Sequence, residues 1–419
     1  MQKNILILWV ALILASCNGA GGAKVQPIVF FTPKLEIDKN AAAVVLPKAK
    51  KAVAWNHGVD WINVQPRNFV AAAIPSKFSS HSVANKTMIA APVISDGKIF
   101  TLDEKNKLSA YDANSYKRLW SVPLDNVRTK SDSHYKGGMI YNDGKLYLTN
   151  STRELVVVDA KIGVVLWRYT MPDVSKSQPV LHKNIILVMT ISNDLYAFDK
   201  NTGALLWQND GLEETLAASR DIAPIVHDGK VLIGYSSGQF VAINASNGEE
   251  IWEINLSREG ENIPGFIPVS LESQPIVEGQ NVYLTSGNGF LFKINLAGGE
   301  ILWQKKIHDI QSMNKSGNTL FVTTNAMQVA AVSEKDGSIV WATNLFVDPK
   351  NNSKKLVQLL TPVVINDQLF VAASDGKLYQ FDARDGKLTN TIDISKDAKY
   401  LTITDSLNIF TGKKILVFK

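Results

Sequence analysis

The sequence is poor in the residues that would make it a redox, metal or nucleic-acid protein. It holds one cysteine, Cys17, in 419 residues, so no intrachain disulfide is available and stability must come from packing. Its six histidines (57, 81, 134, 182, 227 and 308) are spread out, without the close pairs of a metal site. No Asp-rich calcium loop of the EF-hand kind is present. Lys and Arg (44) barely outnumber Asp and Glu (39), and the net charge of +5 is scattered. The one small basic cluster, "PKAKKA" (47–52), reads as solvated linker, and nucleic-acid binding is not expected. Beyond the first residues no apolar run approaches the roughly 20 residues of a spanning helix, so the body is expected outside the bilayer. Helical periodicity is nearly absent, which disfavours all-α and α/β folds.

The N-terminus is where apolar residues do concentrate. Lys3 supplies a positive start, and Ile5 to Ala15 form an apolar run of signal-peptide length. The run ends in Leu14-Ala15-Ser16-Cys17, which resembles the lipobox of bacterial lipoproteins. That resemblance implies cleavage after residue 16 and acylation of the Cys17 thiol, which would then be the first residue of the mature chain. Asn18, where an aspartate often causes retention at the inner membrane, implies the outer membrane. "NGAGGAKVQP" follows and reads as a flexible tether. The expected organisation is a signal peptide over 1–16, a lipidated tether over 17–50 and one folded unit over 51–419.

That unit is built from repeats. An Asp, Asn or Ser stands eight residues before a Trp at Asp112/Trp120, Asp159/Trp167, Asp199/Trp207, Asn244/Trp252, Asn295/Trp303 and Ser333/Trp341. A glycine lies four residues before the Trp in all but the first, where Tyr116 takes its place. A further copy keeps Asp382 and Gly386 but has Asn390 for Trp. Trp-to-Trp intervals run from 38 residues (Trp303 to Trp341) to 51 (Trp252 to Trp303), the size of a four-stranded propeller blade. The Asp or Asn side chain can close a tight turn, glycine accepts a positive φ, and Trp serves as a flat spacer between sheets. The last twenty residues supply three strands, with turns at Asp405-Ser406 and Gly412-Lys413. "KAVAWNHG", with Trp55, offers a lone strand to complete them. The expectation is an all-β, eight-bladed β-propeller closed by N- and C-terminal strands in one blade. Seven blades would result if the terminal pieces packed differently.

These repeats resemble those of eight-bladed propellers related to pyrroloquinoline quinone enzymes. With lipobox, tether and no second domain, the whole mature chain resembles the BamB family, the lipoprotein subunits of the machine that assembles outer-membrane β-barrels. The resemblance implies a non-catalytic scaffold without cofactor, held at the periplasmic face of the outer membrane. It implies docking on the POTRA domains of BamA through loops at one rim, in company with the other subunits. Unfolded outer-membrane proteins are further candidate partners, through pairing with outer strands. On the family's pattern the contact residues are Leu216 and Arg220, before Ala223-Pro224, and Glu272 in "SLESQP". Arg220 is one residue out of register, and Ser270 stands where the family has a second acid. The longest inter-blade stretch, "SREGENIPGFIPVS" (257–270), reads as an ordered rim loop, and "KNNSKK" (350–355) as a solvated one. Two other readings stay open: a quinoprotein-type dehydrogenase, and a lipid-anchored propeller for another ligand.

Overall fold

Each repeat folds as a four-stranded antiparallel sheet because its two middle segments are apolar on both faces and its tight turns are encoded. The computed structural model describes residues 34–418, apart from 53–54, 57–67, 71–76, 125–136, 176, 212–221, 236, 257–269 and 346–356. Among the described residues there are eight such sheets and no helix. The chain is an eight-bladed β-propeller. Blades 1 to 7 cover 93–123, 138–170, 180–209, 225–255, 276–306, 310–344 and 363–393. Blade 8 joins Ala398–Ile403, Leu407–Thr411 and Lys414–Phe418 to Phe78–Ser82. The second and third strands of each blade are almost wholly buried, while the fourth is generally the least buried.

The repeat signature performs the roles its chemistry suggests. Asp112, Asp159, Asp199, Asn244, Asn295 and Asp382 each accept, through the side chain, a backbone N–H two residues on, and Ser333 does so through its hydroxyl. The glycines that follow have φ of +72° to +76°. Each Trp ring lies beneath the turn glycine of the next blade: a Cβ on Gly163 would stand 2.7 Å from Trp120, and one on Gly386 2.3 Å from Trp341. The indole N–H often crosses the same seam, from Trp120 to the Ala160 carbonyl and from Trp341 to that of Ala383. Blades 1 to 7 are thus locked pairwise.

Two expectations at the N-terminus need correction. Closure is by terminal strands, but the closing strand is Phe78–Ser82, paired with Lys414–Phe418, and not the segment around Trp55. The outer position is half exposed, which suits "FSSHS"; Trp55, 1 % exposed, belongs inside. Its backbone bonds both ways with Ile94 on the innermost strand of blade 1, and Asn56 accepts from Tyr141 of blade 2. Phe69, also fully buried, bridges to the innermost strand of blade 7.

Nor do residues 34–50 behave as tether; the packed unit begins at Lys34. The Asp38 N–H donates to the Ile339 carbonyl at the start of the outer strand of blade 6, while its carboxylate accepts from the Ile339 N–H and meets Lys305 of blade 5 at 2.9 Å. Asn318 holds Ala43 and Val45 at a turn of blade 6. Lys50 then pairs with Asn68 and Val70 beside blade 7. This strap crosses the end of the propeller that carries the turns between first and second strands. It has no apolar period because it packs on turns, whose backbone groups it satisfies, rather than on a sheet face.

Candidate functional site: the loop-bearing rim

In a four-stranded antiparallel blade, the links between second and third strands and the connections to the next blade fall at one end. That end, opposite the strap, is the loop-bearing rim. Its connections differ sharply: Ile307–Asp309 suffices between blades 5 and 6, whereas 210–224 and 256–275 join blades 3 to 4 and 4 to 5. The two longer ones are neighbours.

Their stems are clamped together. The Gln274 side-chain amide donates to the Ala223 carbonyl and accepts from the Ala223 N–H, both at 3.0 Å, so one side chain satisfies both backbone polar groups of Ala223 in the connection to the adjacent blade. The prolines after each partner, Pro224 and Pro275, fix the backbone as it enters the first strand. Leu271 is buried where Gly234 leaves room; a Cβ there would lie 2.2 Å from the Leu271 side chain. On its own blade the stem is held by Glu272 N–H to the Thr285 carbonyl, Gly287 N–H to the Ser270 carbonyl, and the Ser273–Thr285 hydroxyl pair at 2.9 Å. Leu271 and Ser273 are buried and Glu272 is half-buried between them. Alternation along an extended stem dictates this, and it leaves a charged group on a backbone fixed from both sides.

Of the residues singled out from sequence, Glu272 is therefore on the rim, beside the stem that leads from 212–221. Leu216, Arg220 and Cys17 lie outside the described residues, as do most of 257–270 and all of 350–355. Ser270, at the position of the second acid, is buried. The clamp itself was not anticipated. Its signal is the Gln-Pro that opens a blade, repeated at Gln178-Pro179, where Gln178 packs so closely that a Cβ on Gly138 would come within 2.4 Å.

Several other polar groups described on this rim are structural. Arg168 ties blade 2 to the start of the 1-to-2 connection, donating to the Leu124 carbonyl at 2.7 Å and to buried Glu154 at 3.0 Å. Burial pushes the Tyr235 phenol up to about 12, so it stays a neutral donor to Asn209. The residues 234–238 have the G-x-S-x-G spacing of hydrolase elbows, but the described segments on either side, Lys230–Gly234 and Gln239–Asn244, are both strands, whereas such an elbow leads from a strand into a helix. Ser237 donates to Gln239. Among the described residues no group of three His, Cys, Asp or Glu side chains is placed to hold a metal ion.

Repeat, seam and rim together define an eight-bladed propeller built from a turn-glycine and seam-Trp repeat. The chain belongs to the family described as outer membrane protein assembly factor BamB, whose model matches residues 104–343 and 316–418. An uncharacterised protein of Rickettsia conorii is 33 % identical over 99 % of both chains. Outer membrane protein assembly factor BamB of Shewanella oneidensis is 24 % identical over 74 % of this chain and 78 % of its own, and that of Escherichia coli 24 % over 71 % and 74 %. In fold the chain is similar to BamB from Moraxella catarrhalis (TM-score 0.66, 17 % identity, 81 % of this chain and 98 % of that one). It is equally similar to quinohemoprotein alcohol dehydrogenase of Comamonas testosteroni (0.66, 12 %, 87 % and 80 %). Those two likenesses concern fold alone.

Proposed function

We propose that this chain is a non-catalytic scaffold lipoprotein of the outer-membrane β-barrel assembly machine, anchored through Cys17 at the periplasmic face and docked on the POTRA domains of BamA. The observation that carries the reading is the Gln274–Ala223 clamp. It unites the stems of two long neighbouring loops into one rigid base and sets Glu272 beside the base of 212–221. A surface meant to hold a folded partner needs such pre-organisation, because ordering loops on contact costs affinity. Leu216 supplies the apolar centre, with Arg220 and Glu272 as charged contacts around it. No catalytic residue, metal or cofactor is assigned. Membership of the BamB family supports the complex, including its other subunits. The exposed fourth strands, with Leu119, Leu166, Leu206 and Ile251 each preceding the seam Trp, support a further role in pairing with unfolded barrel proteins.

The test is affinity purification of the tagged protein from gently solubilised membranes, with mass spectrometry of what accompanies it. A POTRA-bearing barrel protein should be recovered, and the double variant Leu216→Asp, Glu272→Lys should lower its yield by about tenfold or more. Undiminished recovery would remove the rim assignment. Absence of any such protein from the wild-type preparation would remove the assembly role itself.

A further inference from the structure

The strap over 34–51 is fixed to the propeller by one side only, and its other side has an unusual composition. Inward, it spends Asp38 on Ile339 and Lys305, and it buries Val44. Outward, it exposes Ile37 (57 %) and Val45 (61 %), the latter through its side chain while its backbone bonds Asn318. Lys34, Lys39, Lys48, Lys50 and Lys51 are exposed as well, against one exposed acid, Glu36. The cluster that reads as solvated linker is therefore part of an ordered, basic, partly apolar face.

The position of that face is informative. The described chain begins at Lys34, four residues before Asp38 at the junction of blades 5 and 6, and Leu302 on the outer strand of blade 5 is also exposed. The residues from 18 to 33 can span at most about 55 Å even when fully extended. Whatever membrane holds Cys17 is thus within that distance of the strap. Clustered lysines beside exposed aliphatic side chains are the combination that binds an anionic lipid surface: lysines supply the attraction, and aliphatic groups enter the headgroup boundary.

We propose that the strap face is a docking surface for an anionic phospholipid bilayer. It orients the protein more than it anchors it, since acyl chains on Cys17 would suffice for retention. With the strap against the lipid, the loop-bearing rim at the opposite end points away from the membrane. The proposal rests on the lipid-anchor reading only for the nearness of a membrane, and it is tested without the anchor.

The experiment uses the processed chain, residues 17–419, carrying Cys17→Ser, in flotation with vesicles of phosphatidylglycerol and phosphatidylethanolamine or of phosphatidylcholine alone. Binding should require phosphatidylglycerol, fall with salt, and drop by about tenfold or more in Lys48→Gln, Lys50→Gln, Lys51→Gln. Ile37→Ser, Val45→Ser should weaken it further. Lys117→Gln, Lys161→Gln, Lys183→Gln, which removes the same charge from blades 1 to 3 at the same end, should leave binding unchanged. Binding indifferent to phosphatidylglycerol, or lost equally in both lysine triples, would overturn the proposal. Neither result would bear on acylation, which mass spectrometry of Cys17 in membrane-extracted protein tests separately.

Discussion

Glycine has two distinct roles in this ring, and substitution separates them. Gly97 and Gly386 have nearly the same positive φ, +66° and +72°, but an added Cβ meets nothing within 4 Å at Gly97 and stands 2.3 Å from the Trp341 ring at Gly386. Gly97→Ala should cost about 1 kcal/mol, the backbone penalty alone. Gly386→Ala should cost about 3 kcal/mol, because the indole must move in a packed seam. Urea unfolding of both variants measures the difference. Tyr116 shows why the glycine signal could lapse once: it too has positive φ (+58°), but it lies at the closing seam, where His81 stacks on it at 3.7 Å in place of a Trp. The turn-closing Asp and Asn residues were legible because their bonds are local. Lys315 was not. It is 1 % exposed, bonded to Glu334 at 2.7 Å and to Glu278, with Tyr283 beneath its ammonium at 5.8 Å. Those partners come from different blades and turns, and spacing along a chain does not encode a pairing across a seam.

At the scale of the element, the strap is held by a carboxylate with a defined acid limit. The Ile339 N–H, and after it the Lys305 ammonium, hold the Asp38 carboxyl below its ordinary value. A carboxyl depressed on folding stabilises the folded form fully above its unfolded pKa, near 4, and loses that contribution as pH falls through the lower folded value. Amide protection over 34–50 should therefore be constant from neutrality to about pH 4 and decline below it. In Asp38→Ala it should already be reduced at pH 7, with the blades unaffected; hydrogen exchange read by mass spectrometry checks both. The blades were legible from sequence because their burial follows period two and their turns recur. The strap and the closing strand were not, for opposite reasons: one satisfies turns and carries no period, and the other is an outer strand needing few apolar residues. Trp55 misled because a Trp near a chain end resembles a seam residue, whereas here it fills the inner end of the ring.

For the molecule as a whole, closure is the decisive contact. Lys414–Phe418 pairs on one side with Leu407–Thr411 and on the other with Phe78–Ser82, and Ile415, Leu416, Val417 and Phe418 are all buried. Burial of four such side chains contributes about 6–12 kcal/mol, comparable with the net stability of a typical domain. Truncation before Lys414 should abolish the cooperative thermal transition, not merely lower its midpoint, which circular dichroism would report. The pairing of Phe78 with Phe418 also imposes an order of events. The two strands are roughly 340 residues apart, so at 5–20 residues per second the first waits about 20–70 s for the second to be synthesised. Seven blades can form from neighbouring segments during that interval, but the eighth cannot. A long pause in translation would prolong an unclosed ring with two open sheet faces. For as long as that state lasts, the chain presents the exposed apolar surface and unpaired edges that make incomplete folds prone to aggregate.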